Sequence, residues 1–406
     1  MSWTREQRNV TIAAYLGWTL DAFDFFLMVF VLKDIAAEFD TKISDVTVAI
    51  LLTLAMRPLG ALIFGRLADR FGRRPTLMIN IACYSLLELA SGFAPNLASL
   101  LVLRTLFGVA MGGEWGVGSA LTMETVPTHS RGIVSGLLQA GYPSGYLVAS
   151  VVFGLLYQYI GWRGMFMVGV LPALLILYIR SKVPESPAFV QMEKRPRPSL
   201  AATLKGNWKL TIYAVVLMTA FNFFSHGTQD MYPTFLREQH HFDAHTVSLL
   251  TIVLNVGAIV GGLAFGHISE RIGRRRAIFI AALIALPVLP LWAFSSGAFA
   301  LAAGAFLMQI SVQGAWGVIP VHLNEISPDE VRATFPGFVY QLGNLLASGN
   351  ATMQAKFAES HGNDYALALA VVAGTVAIVI AVLILFSRER RGVDMTQSVR
   401  APAPAT

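Results

Sequence analysis

Twelve apolar runs of membrane-spanning length restrict this chain more than any other feature. They lie near 10–32, 44–67, 75–94, 98–122, 132–156, 163–182, 209–236, 246–267, 276–295, 298–322, 333–355 and 365–387. About 20 apolar residues cross the hydrocarbon core as a helix. Lipid offers backbone N–H and C=O groups no partner, so spans of this length must bond internally as helices. The chain therefore reads as an all-α membrane protein with twelve transmembrane helices. Only 13% of residues are charged and 55% are hydrophobic, against about 25% charged in soluble domains. A water-soluble enzyme could not cover its surface with so few charges. The amino terminus is short and polar, and no small-residue cleavage site follows the first run, so no cleaved signal peptide is expected.

Lys and Arg orient the spans. With both termini cytoplasmic, outer loops hold only Lys33, Lys42, Arg163, Arg237 and Lys356, and Arg57 and Arg104 sit within spans; the remaining 23 of the 30 basic residues are cytoplasmic. The opposite orientation violates the positive-inside rule. The formal charge of +6 thus reflects topology and attraction to anionic lipid, and no nucleic-acid partner is expected. One cysteine, Cys83, excludes an internal disulfide and argues against redox chemistry. No GxxxxGK[ST] phosphate loop is present, so ATP-driven transport lacks its engine. His240, His241 and His245 fall on a polar loop and read as solvated side chains, not as metal ligands. No cofactor or metal is expected.

The chain repeats itself at an offset of 201 residues. GRLADRFGRRP at 65–75 returns as GHISERIGRRR at 266–276, GEWGV at 113–117 as GAWGV at 314–318, and METVPTHSRG at 123–132 as LNEISPDEVRA at 323–333. Six spans per half, an even number, give parallel halves. The expected division is a first half at 1–182, a polar cytoplasmic connector at 183–207, a second half at 208–390 and a cytoplasmic tail at 391–406. In each repeated loop a glycine (Gly65, Gly266) is expected to end a helix, an acid follows (Asp69, Glu270), and a basic turn comes next: Arg70, Arg73 and Arg74, or Arg271, Arg274 and Arg275. Gly72 and Gly273 permit the tight turn. Ion pairs between these groups, with Glu124–Arg131 and Glu325–Arg332 as neighbouring pairs, would hold one access state shut. The bland alternative is that the arginines are only positive-inside anchors.

Ionisable groups are costly inside a bilayer and mark pathways for solutes or protons. In NFFSHGTQDMYPT, 222–234, Asn222, His226, Gln229 and Asp230 fall at i, i+4, i+7 and i+8, one face of a helix. That polar stripe predicts a cavity wall. His226 can change charge near neutrality, with Asp230 one turn away to orient it or take its proton. Arg57 lies about midway between Ser44 and Leu67, and needs a carboxylate there. Two readings stand: a solute held by its planar fork, or a standing pair with Asp21 or Asp24. Those acids, at i and i+3 in the first run, are also candidates for carrying a proton. Arg104 and Glu114 are too far apart along one helix to pair, and Glu88 is a buried acid without an assigned role. In GYPSGY, 141–146, Pro143 bends the helix, and Tyr142 and Ser144 are candidates to touch solute.

GRLADRFGRRP and its echo resemble the loop signature of the major facilitator superfamily. RTLFGVAMGGEWG, 104–116, resembles the fourth-helix signature of its proton symporters, and VPESP, 183–187, the segment after the sixth helix of its sugar and metabolite porters. NFFSHGTQD is similar to the seventh-helix signature of lactate and pyruvate proton symporters, in the family that includes sialate symporters. The resemblance carries over to Asn222, Ser225, His226, Gln229, Asp230 and Thr234. Tyr142 precedes Pro143 where drug antiporters have glycine, which argues against antiport. The resemblance implies a monomeric secondary transporter, not an enzyme, multi-pass in the cell inner membrane. It would bring a small monocarboxylate inward with a proton by rocking its halves about a central site. Arg57, Asn222, His226 and Gln229 would bind solute; Asp21, Asp24, His226 or Asp230 would carry the proton. Alternatives are sialate, a dicarboxylate, shikimate or betaine symporter, and an exporter.

Overall fold

The computed structural model describes residues 3–41, 43–192, 202, 205–232, 235–236, 239–242, 244–332, 334–362 and 364–393. Residues 193–201 and 203–204 of the connector and 394–406 of the tail, with Lys42, Thr234 and Arg237, lie outside the described residues. The first half comprises α1 (Arg5–Phe30), α2 (Ile43–Phe71), α3 (Arg73–Ser91), α4 (Leu97–Thr125), α5 (Arg131–Val168) and α6 (Leu174–Lys182). Gly161 (φ 61°) breaks α5, so the residues beyond it begin the sixth traverse, which α6 completes. The second half comprises α7 (Trp208–Gln229), α8 (Ala244–Ile272), α9 (Arg274–Ala293), α10 (Ala298–Ile326), α11 (Phe335–Ala347) with its continuation Asn350–Ser360, and α12 (Tyr365–Leu385).

Local chemistry sets several boundaries. Thr4 Oγ1 accepts from Gln7 N at 3.2 Å while the Gln7 side chain accepts from Thr4 N at 3.1 Å, a reciprocal cap that starts α1. Asn96 and Ser99 start α4 in the same way. Among the described residues, ten stretches are long and apolar enough to cross a membrane by length and composition. The other two traverses are α3, diluted by Arg73, Arg74, Asn80 and Glu88, and the eleventh, interrupted at Ser348–Gly349. The latter departs from the single run at 333–355.

Successive traverses alternate in direction. Both termini and the repeated loops therefore share one end of the molecule, here the terminal end; the other is the distal end. Each half packs its own core, around Ile81, Tyr84, Phe107 and Met111 in the first and Phe221, Trp292 and Met308 in the second. The halves meet where α5 lies against α8 and α10, and α11 against α2 and α4. At the α5–α8 crossing, a methyl group on Gly132 would strike the Gly266 carbonyl, and one on Gly136 the Gly262 carbonyl. Small residues let the two backbones touch, the usual way for helices to approach closely in lipid.

Candidate functional site

Between the halves lies a cavity of about 400 Å³. Its α7 wall carries Asn222, Ser225, His226, Gln229 and Asp230, the face expected from their spacing. Opposite stand Arg57 of α2 and the rings of Trp18 and Tyr142. Arg57 is 2% exposed, and its Nε and Nη2 have no hydrogen-bond partner. Its guanidinium carbon sits 6.0 Å from the centre of the Trp18 ring. The standing pair with Asp21 or Asp24 is absent: no ion pair joins Arg57 to an acid among the described residues.

His226 links α7 to α11. Its Nδ1 lies 3.0 Å from Asp230 Oδ2, and its Nε2 lies 3.2 Å from Asn344 Oδ1 on α11. Asp230 caps the end of α7 instead of continuing it. The amide donors of the stripe are engaged within the protein. Asn222 Nδ2 donates to the Met218 carbonyl at 2.8 Å, and Gln229 Nε2 donates to Gln309 Oε1 at 2.9 Å. Ser144 does not line the cavity. Its hydroxyl accepts from Tyr15 Oη at 2.9 Å and donates to the Ala140 carbonyl at 2.8 Å, which turns it toward α1. Sequence reasoning missed Trp316 and Tyr340 on the cavity wall. Trp316 and Trp115, the tryptophans of the repeated GAWGV and GEWGV, both pack on Tyr340, with ring centres 5.4 and 4.8 Å from its own. Their duplication at the 201-residue offset was the available signal.

Asp21 and Asp24 are fully buried, and none of their carboxylate oxygens has a partner. They lie behind the cavity wall, not on it. A methyl group on Gly169 would meet both Asp24 Oδ1 and the Glu88 side chain. Glu88 is the ion-pair partner of Arg104, a role the sequence left blank. Glu114, one turn of α1 away against Gly17, is also buried and unpartnered. Around α1 the first half thus gathers four buried carboxyls, Asp21, Asp24, Glu88 and Glu114, beside the guanidiniums of Arg57 and Arg104.

The terminal end is closed by the repeated loops. Arg73 grips Glu124 with Nε and Nη2 at 3.1 and 3.0 Å, and Asp69 at 3.5 Å. Arg274 repeats this with Glu325 at 3.2 and 3.3 Å and Glu270 at 3.4 Å. These pairs replace the expected Glu124–Arg131 and Glu325–Arg332. Arg131 instead donates to the Met123 carbonyl at 2.8 Å and the Val393 carbonyl at 2.6 Å, and Arg332 pairs with Asp329. The two loop acids also cross between halves: Asp69 accepts from Thr334 Oγ1, and Glu270 from the Gly132 amide. Arg70 and Arg271 are exposed and take no part. Gly65 and Gly266 do not end helices; α2 and α8 run on to Phe71 and Ile272, and both glycines instead lie at cross-half contacts, with Thr334 and Gly132.

Gly72 (φ 110°) and Gly273 (φ 94°) make the turns, in backbone geometry that a side chain disfavours. Each turn is held by an acid that sequence reasoning overlooked. Glu185 accepts from the amides of Arg73 and Arg74 at 3.0 and 3.1 Å, and burial pushes its carboxyl above the ordinary range. Glu389 accepts from the Arg275 amide at 3.0 Å. The signal was an acid just after the last span of each half. Arg74 and Arg275 also donate to carbonyls at the ends of α6 and α12. At the distal end Arg163 binds Glu38 at 2.7 Å and the Gly92 and Ala94 carbonyls at 3.0 and 2.9 Å. Its hydrogen bond holds the Glu38 carboxyl below the ordinary range.

Comparison with known proteins agrees with this architecture. The sequence profile of the Major Facilitator Superfamily matches residues 14–230 and 215–405. The carboxylic acid transporter protein homolog of Saccharomyces cerevisiae is 28% identical, over 98% of this chain and 70% of its own length. The sialic acid transporter NanX of Escherichia coli is 28% identical, over 83% of this chain and 84% of its own. Among solved structures, the proton:xylose symporter XylE superposes with a TM-score of 0.80 at 17% identity, over 97% of this chain and 99% of that one. The last likeness concerns the fold alone.

Proposed function

This chain belongs to the Major Facilitator Superfamily, and on that premise we propose that it brings a small monocarboxylate, of the lactate or pyruvate type, into the cell together with a proton. The observation that carries this reading is Arg57: a buried guanidinium with two unpartnered nitrogens on the wall of the central cavity. A permanent charge withdrawn from water needs an opposite charge. No ion pair joins Arg57 to a carboxylate among the described residues, which leaves its donors free for the carboxylate of the solute. Transporter sites commonly lie at such a repeat interface.

Solute enters from the distal end in this state, because the repeated loops shut the terminal end. The positive-inside rule makes the terminal end cytoplasmic, so the state faces outward. Bound solute draws Asn222 and Gln229 away from their internal partners, and His226 turns between Asp230 and the bound acid. The proton resides on Asp21, Asp24 or the His226–Asp230 pair. Closure of the distal side and release of the Asp69 and Glu270 contacts then expose the site to the cytoplasm. The chain works as a monomer in the inner membrane and needs no cofactor.

The cavity volume favours a second reading. About 400 Å³ falls in the ordinary range for small-molecule sites and admits an acid bulkier than lactate, such as sialate. The test is radiolabelled uptake into proteoliposomes for lactate, pyruvate and sialate. An inward proton gradient should concentrate one of them, and an uncoupler should abolish that accumulation. Accumulation that follows sodium and ignores protons refutes symport; sialate uptake without lactate uptake selects the second reading.

A further inference from the structure

A basic cleft at the terminal end of the second half lies apart from the central cavity. It encloses about 840 Å³ and is lined by Arg271, Arg275, Arg276 and Arg391, with Phe279, Ile280 and Leu385 forming its apolar wall. Four guanidiniums meet a single carboxylate, Glu389, which already accepts from the backbone amides of Arg275 and Arg391 at 3.0 and 3.3 Å. Arg391 Nη1 is fixed by the Glu270 and Arg271 carbonyls at 3.0 and 2.9 Å, and Arg275 Nε by the Ile384 carbonyl at 3.1 Å. Arg271 and Arg276 are exposed, and their guanidiniums have no partner among the described residues.

The apolar wall is exposed as well: Ile280 by 46% and Leu385 by 56%. Ile280 follows Arg276 by one helical turn on α9, about 6 Å along the axis. Charge and apolar surface are therefore stacked in depth, in the order of a lipid headgroup and its chains. The equivalent of Arg276 in the first half, 201 residues earlier, is Pro75, so that half lacks the charge.

We propose that this cleft binds the phosphate of an anionic phospholipid, with the acyl chains against Phe279, Ile280 and Leu385. A guanidinium offers phosphate two parallel donors, and basic pockets on the cytoplasmic side of spanning helices suit such headgroups. A free anion would draw nothing from the apolar wall, whereas a lipid uses both surfaces.

Native mass spectrometry of the full-length protein tests this, with phosphatidylglycerol, phosphatidylcholine and inorganic phosphate titrated separately. Phosphatidylglycerol should bind about tenfold or more tightly than phosphatidylcholine. Arg276→Gln should weaken it by about fivefold, and Arg271→Gln with Arg276→Gln by roughly twenty-fivefold, with phosphatidylcholine unaffected. Arg276→Lys keeps the charge but forfeits one parallel donor, so it should lose less than Arg276→Gln, and unchanged phosphatidylcholine binding separates loss of the site from misfolding. Arg388→Gln, in the neighbouring cleft beside Trp208 and Lys209, should change nothing. Equal affinity for the two lipids, or unaltered phosphatidylglycerol binding in the double variant, overturns the proposal. Inorganic phosphate binding as tightly as the lipid would mark a free-anion site and overturns it too.

Discussion

Replacing Arg57 separates recognition from stability. In the empty carrier the Arg57 guanidinium is 2% exposed with two nitrogens unpartnered, so it is a cost to the fold that bound solute removes. Arg57→Gln should therefore hold or raise the melting temperature of the solute-free protein while weakening solute binding. A buried charge pair that loses one partner costs about 2–5 kcal/mol, or about 30-fold to several-thousand-fold in affinity. Arg57→Lys keeps a cation near the Trp18 ring but forfeits one of the two parallel donors. One charge-assisted hydrogen bond contributes about 1.5–3 kcal/mol, so lysine should lose roughly 10- to 150-fold and fail to rescue. The assay is equilibrium binding of lactate, pyruvate and sialate to purified protein, with melting followed on the same samples. Near-normal affinity in both variants removes Arg57 from the site and leaves the α7 face as the binding element. A marked fall in melting temperature would instead reveal Arg57 as a structural pair and refute the reasoning.

Three further outcomes concern the closed end. Thr334→Val removes the donor to buried Asp69; a hydrogen bond to a charged group contributes about 1.5–3 kcal/mol, so spin-label distances across the terminal end should shift toward the open state by roughly tenfold or more in population. Unchanged distances would show that Asp69 does not lock the halves. Gly136→Val sets a side chain against the Gly262 carbonyl and should enrich the same open state, read by cysteine accessibility at the terminal end; continued protection there would contradict the backbone contact. Gly72→Val and Gly273→Val, at positive φ, should slow transport more than they weaken solute binding. A collapse of affinity with normal exchange of bound solute would overturn their assignment to gating.

The sequence carried most of the architecture because lipid leaves so few options. Length and apolarity alone predict the spans, and the 201-residue echo predicts that Asp69, Arg73 and Glu124 are matched by Glu270, Arg274 and Glu325. The spacing of Asn222, His226, Gln229 and Asp230 predicts their shared face. What periodicity does not encode is which arginine reaches which acid. Arg131 and Arg332 are near their expected partners in sequence, yet Arg73 and Arg274 win because the turn after Gly72 and Gly273 aims them inward. Glu185 and Glu389 escaped notice because their segments differ and their separation departs from the repeat offset. Ser144 faces away from the cavity because it follows Tyr142 by two residues, about 200° around the same helix. Glu88 and Arg104 lie on different helices, and only packing brings them together.

The cross-half contacts of Asp69 and Glu270 descend from copies of one loop, yet they differ in how a lineage can change them. Asp69 depends on the hydroxyl of Thr334, which a single base change can delete. Glu270 depends on the backbone amide of Gly132, which no loss of a side chain can delete, although any side chain added there strikes the Gly266 carbonyl. One contact can thus be lost alone, whereas the other can be lost only together with the α5–α8 backbone contact around it. Related carriers can diverge in how readily they open inward by varying the threonine side, with the glycine side preserving a minimum of closure.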